Sequence, residues 1–208
     1  MPFGAFIIAD FFFAGLSVGL YIISVAALFA GRDGWKPVAR MGAVGAAVAL
    51  VIALVCLILD LEQMHRFWYL FVHMNFSSPI TWGSIFLALY GVIVLAYAFL
   101  SASGRESPAR WLGLMGLPFA VGAHGYAGFV LLVCKGRDMW NSSAYPVMFL
   151  LAALLSGLAV IIIMNTIRLK YLTSNVSPEA TDLQRRPLDI LSYVLIFFLF
   201  VYLTILLS

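Results

Sequence analysis

An all-α integral membrane protein of six transmembrane helices is the fold class this sequence predicts, and three observations predict it. The 208 residues are 64% apolar and only 10% charged, with a mean hydropathy of +1.06, far from the usage of soluble domains. Six apolar stretches can be drawn, at 4–29, 38–59, 80–100, 111–133, 144–167 and 188–207. Each has roughly the 20 residues a bilayer-spanning helix needs. The basic residues are also distributed unequally between the two sets of loops, as in a multi-pass chain.

Taken in order, the first stretch has no basic leader, carries Asp10 and exceeds a signal-peptide core, so a retained helix is expected. The loops between stretches 1 and 2, 3 and 4, and 5 and 6 hold Arg32, Lys36, Arg40, Arg105, Arg110, Arg168, Lys170, Arg185 and Arg186. The opposite loops hold Arg66, Lys135 and Arg137. That bias places the first face in the cytoplasm and the N-terminus outside, in a cell inner membrane. The scattered basic residues make no nucleic-acid footprint. Small residues mark close helix packing: Gly15 and Gly19, Gly42, Gly45, Ala46 and Ala49, Gly122, Gly125 and Gly128, and Ala153 with Gly157. The sixth stretch runs almost to Ser208, an abrupt end. Cys56 and Cys134 show no CxxC spacing, so no haem, iron-sulfur cluster or metal site is expected in this chain.

Only two ionisable side chains other than tyrosines lie well inside the spans, Asp10 and His124. An intramembrane carboxylate is costly and normally faces the protein interior or water with a partner. At 1.5 Å per residue both lie roughly 10–15 Å below the outer surface. Tyr126 sits slightly nearer that surface, and Asp60, Glu62 and His65 begin above it, so a polar cluster is expected at the outer leaflet. A purely structural role stands beside each: a cap or local pair for Asp10, a backbone hydrogen bond for His124, a solvated loop end for the others. His124 and Tyr126 are two residues apart, about 200° around a helix, and are not expected to face one pocket. Carboxylate, imidazole and phenol supply the hydrogen bonds and protons that reduction or oxidation of a quinone needs. A transporter or proton channel could use Asp10 and His124 equally, although no inverted repeat is visible. A b-type cytochrome is disfavoured because the chain has only His65, His73 and His124.

Three segments carry a resemblance to a known family: FFFAGLSVGLY at 11–21; DLEQMHRFW and NFSSPITWG within 60–83; and HGYAGFVLLVCKGRDMWNSSAYPVMFLLAALLSG at 124–157. Together they resemble the polysulfide reductase membrane-subunit family, also called the NrfD or PsrC family, over about three quarters of the chain. The resemblance implies a four-helix bundle of helices 1 to 4 within residues 1–134. Residues 144–208 would form two helices of a shortened second bundle. It further implies menaquinone or ubiquinone bound near the outer end, contacted by a polar residue of helix 1 and a tyrosine of helix 4, which look like Asp10 and Tyr126. His124 joins them as a candidate. Asp60, Glu62 and His65 are the expected proton path. Arg66, Trp82, Arg137 and Trp140 are the expected contact surface for a ferredoxin-like iron-sulfur subunit, itself joined to a molybdopterin subunit or a multihaem cytochrome. The subunit alone is expected to be non-catalytic. Family members usually have eight or more helices, so six implies a shortened member or a partial chain.

Overall fold

The structure, a computed structural model, describes residues 4–31, 33–60, 79–133, 145–171 and 178–207. These form six long helices: α1 (Ala5–Ala30), α2 (Lys36–Asp60), α3 (Pro79–Ala102), α4 (Glu106–Val133), α5 (Tyr145–Tyr171) and α6 (Pro178–Leu207), with a 3-10 turn at Asp33–Trp35 before α2. Among the described residues, five of these segments are long and apolar enough to cross a membrane. The remaining helix, α4, is 28 residues long but diluted by Glu106, Arg110, the interior Pro118, His124 and five glycines. Its missing backbone hydrogen bond at Pro118 is tolerable where neighbouring helices cover the backbone.

Helix α2 shows how sequence periodicity sorts lipid from protein. Val44, Val48, Val51 and Val55 recur at helical spacing and are exposed. The opposite face, Ala39, Ala43, Ala46, Ala49 and Ala53, is buried against the bundle. With no water to exclude, helices associate by close van der Waals packing, and a face of alanines allows it. Helix α1 is the most enclosed, with an unbroken buried run from Gly15 to Tyr21. Contacts link α1 to α2, α2 to α3, α3 to α4 and α4 back to α1, closing a ring of four. Helix α5 lies against both α1 and α4, and α6 lies against α5.

The α1–α5 crossing is set by backbone approach. A Cβ on Gly157 would stand 2.8 Å from Gly19 Cα, and one on Gly19 would collide with the Ala153 carbonyl. At one end of the ring the connections are short. Gly31 ends α1 at φ 65°, and Gly104 turns α3 into α4 at φ 72°, a left-handed conformation that glycine adopts without cost. Lys36 bridges Asp33 at 3.0 Å and Glu106 at 3.4 Å, and Glu106 also reaches Arg110 at 3.8 Å. These pairs tie the α1–α2 and α3–α4 connections together on the face that carries most of the basic residues.

Candidate functional site

Inside the ring, polar side chains repeat every seven residues. Ser17 Oγ donates to the Ala46 carbonyl at 2.8 Å and lies 2.8 Å from the Tyr90 hydroxyl. Seven residues along α1, Ser24 Oγ donates to the Ala39 carbonyl at 2.5 Å and lies 2.8 Å from the Tyr97 hydroxyl. Each serine has one proton and spends it on the carbonyl, so in each layer the tyrosine is the donor to the serine. Tyr21 stands between the layers, its hydroxyl donating to the Gly113 carbonyl at 2.9 Å. Its ring meets Tyr90 and Tyr97 edge to face, with centroids 5.5 and 5.1 Å apart.

A seven-residue step drifts only about 20° around an α-helix, so the register extends one layer further toward the N-terminus of α1. There α1 presents Asp10 where Ser17 and Ser24 stood, α2 presents Ala53, and α3 presents Gly83 where the tyrosines stood. The space that a side chain at Gly83 would take is filled from α4: a Cβ there would collide with the ring of Tyr126. The third layer therefore repeats the pattern with stronger chemistry, a carboxylate for the serine and a phenol supplied by a different helix. One further heptad along α2 brings Asp60, and a Cβ on Gly4 would stand 2.8 Å from Asp60 Oδ1, so the start of α1 and the end of α2 adjoin. Asp10, partly buried, feels the charge of Asp60.

His124 belongs to a different surface. It is 4% exposed, and its ring packs beside Phe149 at a centroid distance of 5.7 Å. Gly15 makes room for it: a Cβ there would stand 2.7 Å from His124 Cε1 and 2.9 Å from Nε2. The imidazole lies against the backbone of Phe149, yet Nδ1 has no hydrogen-bond partner among the described residues. The ring lines a cavity of about 350 Å³ between α1, α4, α5 and α6. Asp10 and Tyr126 do not line it. Trp82, half exposed, sits in the first turns of α3 next to Gly83. Glu62, His65, Arg66, Arg137 and Trp140 lie outside the described residues. Among the described residues no three His, Cys, Asp or Glu side chains gather into a metal-binding group.

Comparison with known proteins decides the kinship. The profile described as Polysulphide reductase, NrfD matches residues 1–207. The chain belongs to the NrfD polysulphide reductase family. A polysulfide reductase chain of Wolinella succinogenes is similar, 29% identical over 168 residues, covering 71% of this chain and 53% of that protein. A tetrathionate reductase subunit of Salmonella typhimurium is 31% identical over 166 residues, covering 74% and 46%. A selenate reductase subunit of Mesobacillus selenatarsenatis is 24% identical over 198 residues, covering 76% and 46%. This NrfD-family chain thus spans about half the length of these curated relatives. The family and the apolar helices make it a multi-pass membrane protein.

The serine–tyrosine layers are not among the residues the sequence singles out, because serines and tyrosines inside an apolar span are individually ordinary. Their signal was present: Ser17 and Ser24 on α1, and Tyr90 and Tyr97 on α3, share a seven-residue spacing.

Proposed function

We propose that this chain is the membrane anchor and quinone-binding subunit of a respiratory reductase complex. It would exchange electrons between the membrane quinone pool and a ferredoxin-like iron-sulfur partner at the outer face. The observation that carries the reading is the third layer of the bundle, where Asp10 takes the serine register and Gly83 clears the space that Tyr126 occupies. Two hydrogen-bonding, proton-exchanging groups then stand at one level of an apolar bundle, near the start of α1. A quinone accepting two electrons needs two protons at its oxygens, and a carboxyl and a phenol are suited to deliver or receive them.

The names of the relatives, components of polysulfide, tetrathionate and selenate reductases, support a membrane role within a larger reductase. The iron-sulfur partner would stand with a molybdopterin subunit or a multihaem cytochrome. Trp82 would belong to its contact surface together with Arg66, Arg137 and Trp140. Asp60 would connect the site to the outer surface, continued by Glu62 and His65. The charge bias favours an inner-membrane location with the N-terminus outside. A transporter or channel using Asp10 together with His124 loses ground, because α1 and α4 each turn these residues to different neighbours.

The test uses the complex purified with its native partners. Asp10→Asn and Tyr126→Phe should each lower quinone-linked turnover at least tenfold while leaving dye-linked activity of the catalytic partner intact. Unchanged quinone turnover in both variants would remove the third layer from the mechanism.

A further inference from the structure

The cavity beside His124 is a separate place, back to back with the third layer. On α1, Asp10 and Gly15 are five residues apart, about 140° around the helix at 3.6 residues per turn, and on α4 His124 and Tyr126 are about 200° apart. The layer side receives Asp10 and Tyr126; the cavity side receives Phe11, Phe12, Gly15 and His124. At about 350 Å³ the cavity falls within the range of roughly 300–1,000 Å³ typical of small-molecule sites. Its walls are aromatic: Phe11 and Phe149 meet edge to face at 6.3 Å, and Tyr202 contributes from α6. Phe12, well exposed on the lipid-facing surface, is part of the rim, so an occupant would arrive from the bilayer.

Set in these walls is one polar group with an unmet bond, the nearly inaccessible imidazole whose Nδ1 lacks a partner among the described residues. A buried polar atom without a partner is costly, and the broad χ2 well of histidine lets the ring turn its nitrogens toward an incoming group. The imidazole's single proton is engaged by the Phe149 backbone, so Nδ1 is left as an acceptor that a hydroxyl can serve. A flat, lipid-soluble molecule that carries a ring hydroxyl, as a quinone does when reduced, matches an acceptor set among aromatic walls. A phospholipid ester offers acceptors alone and no ring for the aromatic walls.

We propose that the cavity between α1, α4, α5 and α6 is a second quinone site, holding the ring beside Phe11 and Phe149 and, in the quinol form, with one hydroxyl donating to His124 Nδ1. It rests on the quinone reading above but is distinct from the redox site, and serves as a lipid-facing holding position for a second molecule.

The test is photolabelling of the native complex in phosphatidylcholine nanodiscs with a short-chain azido-naphthoquinone, followed by peptide mapping. Two labelled regions are expected, one around Tyr126 and one at Met148–Phe149. Ala152→Phe fills the cavity from an exposed position on its wall. It should abolish the Met148–Phe149 label while leaving the Tyr126 label and quinone-linked turnover unchanged. His124→Phe keeps the ring and removes its nitrogens and, with the probe reduced to its quinol form, should weaken the second label roughly two- to tenfold, the worth of one hydrogen bond. Label confined to the Tyr126 region, or a Met148–Phe149 label indifferent to both substitutions, overturns the second site and leaves the redox site standing. A photoreactive phosphatidylcholine that labels the cavity and is not displaced by excess naphthoquinone overturns it as well. Loss of both labels in the unsubstituted complex would overturn the quinone reading itself.

Discussion

Replacing Gly83 by alanine isolates the contact on which the third layer depends. A methyl group at Gly83 would run into the Tyr126 ring, and the atoms it meets are Cδ1, Cε1 and Cζ, the body of the ring. At Gly91, eight residues along the same helix, the added methyl would meet only Leu50 Cδ2 at 3.7 Å, an ordinary van der Waals distance. Both substitutions gain about 1 kcal/mol of helix preference. Only Gly83→Ala also incurs overpacking, typically about 1–3 kcal/mol. The difference between the two variants is therefore that overpacking term, readable by unfolding in mixed SDS micelles. Quinone-linked turnover should fall at least tenfold in Gly83→Ala, because the ring must leave its position, and should survive in Gly91→Ala. Adding Tyr126→Ala to Gly83→Ala should cost less stability than the sum of the single changes, since Tyr126→Ala removes the ring that the new methyl at position 83 would strike. Equal stability of the two glycine variants, to within about 0.5 kcal/mol, together with intact turnover in Gly83→Ala, would refute the placement of Tyr126.

Three further outcomes follow from the packing. Ser17→Ala strands the Tyr90 hydroxyl and Tyr90→Phe leaves Ser17 on its carbonyl, so each should cost roughly 0.5–2 kcal/mol, serine the more, with a double-mutant cycle showing positive coupling. Gly157→Ala meets the backbone of Gly19 and should destabilise more than Gly83→Ala in the same unfolding assay, because backbone cannot rotate away. Glu106→Gln removes two ion pairs whose partners are about 40% exposed, and the unfolding free energy should change by under about 1 kcal/mol.

The helices were legible because lipid imposes a length and a polarity on each crossing. The apolar stretches at 38–59 and 80–100 correspond to helices Lys36–Asp60 and Pro79–Ala102 within two residues at each end. The last helix begins ten residues before its apolar stretch, at Pro178. Hydropathy marks where lipid begins, whereas a helix continues through polar residues of good propensity, and proline is favoured at a first helical position. Glycine roles were less legible. Gly15 and Gly19 looked like one packing pair, yet Gly19 admits α5 and Gly15 admits an imidazole. Spacing alone identifies a small residue and not the neighbour it is small for. Asp10 was visible as an exceptional charge, but its shared register with Ser17 and Ser24 acquires meaning only once α2 and α3 are placed beside it.

The two serine–tyrosine layers also bear on where protons can travel in the proposed mechanism. A hydroxyl chain conducts a proton only if each oxygen can accept one on one side and release one on the other. Here the Tyr90 proton goes to Ser17 and the Ser17 proton to the Ala46 carbonyl; the Tyr97 proton goes to Ser24 and the Ser24 proton to the Ala39 carbonyl. Tyr21 likewise ends on the Gly113 carbonyl. Each chain stops at a backbone oxygen already engaged in its helix, which accepts a hydrogen bond but has no proton to hand on. Tyr21, Tyr90 and Tyr97 are fully buried and pack edge to face, closing the space between the layers. The hydroxyls of these two layers thus offer no through-going proton relay. A quinone bound at Asp10 and Tyr126 would exchange its protons on the side of the membrane where α1 begins, the same side on which the proposed partner supplies or takes electrons. Electron and proton would then enter together, and chemistry at this site would move no net charge across the four-helix ring.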